Sequence, residues 1–76
     1  MKNLQELKGT YFAIKVNNNL DEIEKKLVKE GFKSNAEWNL KTRGWNIGNV
    51  NHVIVYENLS FEFHNHDGNS KEILEL

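Results

Sequence analysis

The chain has 76 residues, with ten basic and eleven acidic side chains, a net charge of −1, and neither Cys nor Pro. This composition excludes a disulfide framework, a Cys-ligated zinc or iron–sulfur site and a thiol nucleophile. The balanced charge leaves no basic footprint for nucleic acid, and no apolar run reaches the roughly 20 residues needed to span a bilayer.

A secretory h-region is also missing near the N-terminus, so residues 1–76 read as one soluble, cytoplasmic domain. Asn occurs twelve times and Lys nine, against the single Arg43. That bias points to an AT-rich coding genome more than to selected chemistry. A domain of this length buries about 60–65% of its unfolded surface and has no covalent staple, which favours self-association as a homodimer.

In chain order, Met1 to Lys8 predicts one helical turn. Asn3 and Glu6 stand at capping-box spacing, and Gly9 ends the turn. Thr10 to Val16 predicts a strand with Phe12, Ile14 and Val16 on one side and Tyr11, Ala13 and Lys15 on the other. Leu20 to Glu30 predicts the main helix, with Asn19 at the N-cap, Glu22 three residues on and Gly31 as the stop. Its apolar face is Leu20, Ile23, Leu27 and Val28. Opposite-sign pairs at i,i+4, namely Asp21–Lys25, Glu22–Lys26 and Lys26–Glu30, line the other face, which reads as solvated.

Residues 34–43 fit a strand through Ala36, Trp38 and Leu40, although Ser34 and Glu37 also make a helix-capping pair. Thr42 to Asn49 carries Gly44 and Gly48 among polar residues and predicts a loop. Val50 to Glu57 holds the strongest β segment, His-Val-Ile-Val-Tyr, which belongs at the centre of a sheet. A tight two-residue turn at Glu57-Asn58 would join it to Leu59–His64, whose Leu59, Phe61 and Phe63 face the core. Asp67-Gly68 then marks a second hairpin turn before a last strand near Lys71 to Leu76. The expected fold is α+β in β-α-β-β-β order: an antiparallel sheet of four to five strands with one main α-helix packed on one face.

Two segments carry candidate chemistry. The Arg43–Asn49 loop offers Arg43 as a fork for carboxylates or phosphates and Trp45 as a rigid face, with Asn46, Asn49, His52 and Trp38 nearby. It matches neither a P-loop nor a dinucleotide fingerprint. In an extended strand, Glu62, His64 and His66 share a face, so two imidazoles and a carboxylate could open a zinc or iron site. The two-residue turn would set His52 opposite Phe63, away from His64. A three-residue turn would bring His52 opposite His64 but pair Ile54 with Glu62. No nucleophile elbow, paired-carboxylate motif or metalloprotease helix is present, so neither catalysis nor a cofactor is expected. The sheet aromatics Phe61 and Phe63 are needed for the core rather than for stacking bases.

The run Lys29-Glu30-Gly31-Phe32-Lys33, then a Trp-bearing segment, then Val53-Ile54-Val55-Tyr56-Glu57-Asn58, resembles small stand-alone accessory proteins of Gram-positive phages and prophages. That resemblance implies a phage accessory role, for example binding and inhibiting a host or defence protein or sequestering a small signalling molecule, and it carries over no catalytic residue. With catalytic motifs absent, the leading expectation is a non-enzymatic binding protein. An oligomer holding an anionic small molecule or nucleotide signal is the alternative. It would use Arg43 as the clamp and His52 or Asn49 as donors. Metal binding through the His-bearing hairpin is the second alternative.

Overall fold

The computed structural model describes residues 3–34 and 50–76. Helix α1 (Leu4–Leu7) opens on Asn3, whose side chain accepts the Glu6 N–H at 3.0 Å, and it buries Leu4 and Leu7. Strand β1 (Phe12–Lys15) leads into helix α2 (Leu20–Lys29) and the short strand β2 (Lys33–Ser34). Strands β3 (His52–Val55), β4 (Ser60–His64) and β5 (Ile73–Glu75) follow.

Helix α2 buries Leu20, Ile23 and Leu27 against the sheet. Val28, expected on that face, is 55% exposed, because the buried arc is narrower than the sequence stripe. Asn19 is the N-cap residue but does not cap with its side chain. Its Oδ1 accepts the Asn17 N–H and its Nδ2 donates to the Leu76 carbonyl, so it ties the helix start to the C-terminal strand. Among the described residues Lys15 pairs with Glu75 and His64 Nε2 meets Glu62 at hydrogen-bond distance, while the i,i+4 pairs expected along α2 do not close.

The helix ends as Gly31 predicts. At φ +97°, Gly31 donates to Val28 and Phe32 donates to Leu27, the two bonds of a Schellman stop. Buried Phe32 and Leu27 supply the apolar contact of that motif. The Lys8 ammonium donates to the Glu30 carbonyl at 2.8 Å, placing a cation at the negative end of the helix.

The sheet is mixed, with order β2-β4-β3-β1-β5. Only β1–β3 and β3–β4 are antiparallel; β1–β5 and β2–β4 are parallel. The all-antiparallel sheet is therefore corrected. Its source is the segment after β4: Asp67-Gly68 turns the chain but makes no hairpin. The β4 edge is already occupied by β2, so the chain crosses the sheet to reach β1. The crossover through α2 and the crossover through residues 65–72 run in opposite directions over opposite faces, so they share one hand, as parallel connections normally do.

The turn after β3 is a second correction. Its loop has three residues, Glu57 to Leu59, closed by Tyr56 N–H to the Ser60 carbonyl at 2.8 Å and Leu59 N–H to the Tyr56 carbonyl at 3.0 Å. Leu59 takes φ +69°, while Asn58 Oδ1 accepts from both the N–H and the hydroxyl of Ser60. The register consequently pairs His52 with His64 and Ile54 with Glu62.

Phe12, Ile14, Val53, Val55, Phe61, Phe63 and Leu74 form the sheet's contribution to the core beneath α1 and α2. Ala13 and Ile54 lie on the opposite face, yet they too are 0% and 1% exposed. The crossover covers them. A Cβ on Gly68 would stand 2.4 Å from Ile54 Cδ1 and 2.3 Å from the Tyr11 hydroxyl, so the chain passes there at backbone distance.

Candidate functional site

Alternation places Tyr11, Ala13 and Lys15 of the β1 segment on the outer face. His52, Ile54 and Tyr56 from the β3 segment join them, with Ser60, Glu62 and His64 from β4. Tyr56, Glu62 and His64 form one network. The Tyr56 hydroxyl donates to Glu62 Oε1 at 2.8 Å, and His64 Nε2 lies 3.0 Å from the same oxygen. The His66 ring lies against His64 at 4.8 Å between centroids, and His66 Nδ1 accepts the Gly68 N–H at 3.1 Å. The Tyr11 hydroxyl donates to the Gly68 carbonyl at 2.7 Å, and the Tyr11 and Tyr56 rings meet at 5.7 Å.

Burial, then the hydrogen bond to Glu62 and that carboxylate's charge, push the Tyr56 hydroxyl up to about 12. Tyr56 is thereby held as a donor, the opposite of what a general base or nucleophile requires. Tyr56 and His64 converge on Glu62 within the sheet, while the Tyr11–Gly68 bond and the His64–His66 ring contact fasten the crossover down beside Ile54.

Glu62 and His64, offered by the sequence as metal ligands, do come together. His66 joins them by ring contact, with Nδ1 turned to the Gly68 amide. No group of three or more such side chains converges on a metal-sized site among the described residues. His52 sits half-buried across from His64, contrary to the placement opposite Phe63, with Nδ1 2.7 Å from Asn51 Oδ1. Trp38, Arg43, Trp45, Asn46 and Asn49 lie outside the described residues, as does the strand-or-helix question from residue 35 onward.

A concavity of about 450 Å³ opens at the start of α2, lined by Val16, Asn18, Asn19, Leu20, Asp21, Glu22 and Val50. Two carboxylates on its wall oppose the anion that a helix N-terminus would otherwise attract.

The remaining chemistry is at the β5 edge. Among the described residues no strand lies beyond β5. Ala13 N–H donates to the Glu72 carbonyl, and the parallel register runs from Ala13–Ile73 to Lys15–Glu75. Alternate residues serve a ladder of this kind, so Glu72 and Leu74 bond β1 while the peptide groups of Ile73 and Glu75 point outward. Ile73 is 43% exposed and Leu76 39%. The sequence had given this segment to a hairpin with β4. The signal that could have marked it as an edge is its charge pattern, Lys71 and Glu75 two residues either side of Ile73.

Comparison with protein-family models, curated proteins and solved structures finds no match. Among the described residues, no helix is long and apolar enough to cross a membrane.

Proposed function

We propose that the chain is a non-enzymatic protein-binding module that engages its partner by strand addition at the β5 edge. The partner class implied by the resemblance is a host or defence protein that the chain modulates or inhibits. The observation that carries the reading is the outward row of Ile73 and Glu75 peptide groups beside an exposed Ile73. Main-chain bonds would supply affinity there, and the exposed side chains selectivity. The Tyr56–Glu62–His64–His66 network supports it by exclusion, since its polar groups are already engaged with one another and with the Gly68 amide.

Ile73→Pro tests the proposal. It deletes an N–H that faces away from β1, and proline is tolerated at such edge positions. Cross-linking capture from native-host cells is expected to retain a discrete partner with the wild-type chain and to lose it with Ile73→Pro. Arg43→Ala and Trp45→Ala measure any share carried by the loop. Undiminished capture by Ile73→Pro overturns the reading.

A further inference from the structure

We infer that a second copy of this chain occupies the β5 edge, paired antiparallel about a two-fold axis at Ile73. This rests on the strand-addition reading above: the second copy takes the edge reversibly while the partner is absent, and the partner displaces it.

Three observations combine. The outward peptide groups belong to Ile73 and Glu75. A two-fold axis through Ile73 makes it its own partner, and both copies then offer an N–H and a C=O at that point, the requirement of a hydrogen-bonded antiparallel pair. Exposed apolar surface sits on the axis, where Ile73 would meet its symmetry mate.

Charge complementarity fixes the register. With Ile73 on the axis, Lys71 of each copy, in the bend just before β5, comes abreast of Glu75 of the other, giving two pairs of opposite sign across the axis. Glu75 is already 3.9 Å from Lys15, but their side chains are 65% and 52% exposed, so the carboxylate can receive a second cation. Moving the axis one residue, to Leu74, would instead place Glu75 against Ile73 and Glu72 against Leu76. It would also require the Leu74 peptide groups, which β1 uses. The alternative register therefore lacks both the ion pairs and the hydrogen bonds. Pairing three to five residues on each side makes a small interface of the weak class, so the dimer forms reversibly with concentration.

The chain has no Cys, which makes a cross-linking test clean. Ile73→Cys places two thiols across the axis at about 5.5 Å between Cα atoms, within disulfide reach. Under mild oxidation Ile73→Cys should cross-link at least about tenfold faster than Val28→Cys, at a position that is more exposed but on the helix. Sedimentation of the full wild-type chain should show the mass rising from 8.9 kDa towards twice that value. The useful range is about 10 µM to about 1 mM. Lys71→Glu should weaken the dimer by about tenfold, and Lys71→Glu with Glu75→Lys should restore it.

A wild-type chain that stays monomeric throughout, equal cross-linking of the two Cys variants, or failure of the charge swap to rescue overturns the self-pairing. If Ile73→Pro still abolishes partner capture in that case, strand addition stands with a heterologous occupant. If capture is unaffected by Ile73→Pro, the functional reading itself fails.

Discussion

Gly68 is the point at which the outer face is most sensitive. Its φ of +62° costs an alanine about 1 kcal/mol in backbone strain. The added Cβ would stand 2.3 Å from the Tyr11 hydroxyl and 2.4 Å from Ile54 Cδ1, so the crossover must lift. Lifting breaks the Tyr11–Gly68 hydrogen bond, a net loss of about 1 kcal/mol. It also re-exposes part of Ile54, now 1% exposed. That partial exposure is a further loss of about 1 kcal/mol. Gly68→Ala should therefore destabilise the domain by about 3 kcal/mol, a large share of the total expected at this size. Gly9→Ala is the control: its φ is +88° but no atom lies within 4 Å of the new Cβ. It should cost only the backbone part, about 1 kcal/mol. In a Tyr11→Phe background one clash and the hydrogen bond vanish, so the increment for Gly68→Ala should fall by about 1 kcal/mol. Urea unfolding at constant slope measures the wild type and the four variants. Equal losses for Gly68→Ala and Gly9→Ala would refute the close passage of the crossover over the sheet.

Alkaline unfolding should expose the Tyr56 bond. Its hydroxyl titrates near 10 when unfolded and about 12 when folded, so its contribution is complete below pH 10 and is lost as the pH rises through 12. After solvent screening of a half-buried ring, the loss is on the order of 1 kcal/mol, and Tyr56→Phe should flatten that part of the stability–pH curve. Leu27→Ala should cost about 2–5 kcal/mol by denaturant titration, whereas exposed Val28→Ala should stay within about 0.5 kcal/mol; equal effects would contradict the observed rotation of α2. Asn3→Ala should cost about 1 kcal/mol through loss of the α1 cap. Asn19→Ala should act instead through the Leu76 tether, seen as faster amide exchange in β5.

Features whose causes lie within a few residues were legible in the sequence. The Gly31 stop, the Asn3 cap, the central β3 and the burial of Phe61 and Phe63 depend on local spacing and alternation. The three-residue loop after β3 was passed over because it pairs Ile54 with Glu62, an apolar side chain against a carboxylate. The structure accommodates that pair in two ways: the crossover covers Ile54, and the nearby Tyr56 and His64 occupy the carboxylate. The first, a long-range contact, cannot be read from spacing. The parallel partners of β2 and β5 were hidden for the same reason, since each depends on which edge is already occupied when the chain returns. The loop from Arg43 to Asn49 drew attention by residue type alone, while the β5 edge announces itself only once the sheet order is known.

The position of β1 has a consequence for how this chain must be made. Phe12, Ala13 and Ile14 are all 0% exposed, yet both neighbours of their strand come much later, at His52–Val55 and Ile73–Glu75. At about 5–20 residues per second, this fully buried strand leaves the ribosome seconds before either flank exists. One flank arrives with β3, and the other only with β5. The earliest strand is thus the last to be sealed, so a nascent or prematurely stopped chain displays an unpaired Phe-Ala-Ile edge. Synthesis, more than the finished fold, is where this small domain is most exposed to mispairing.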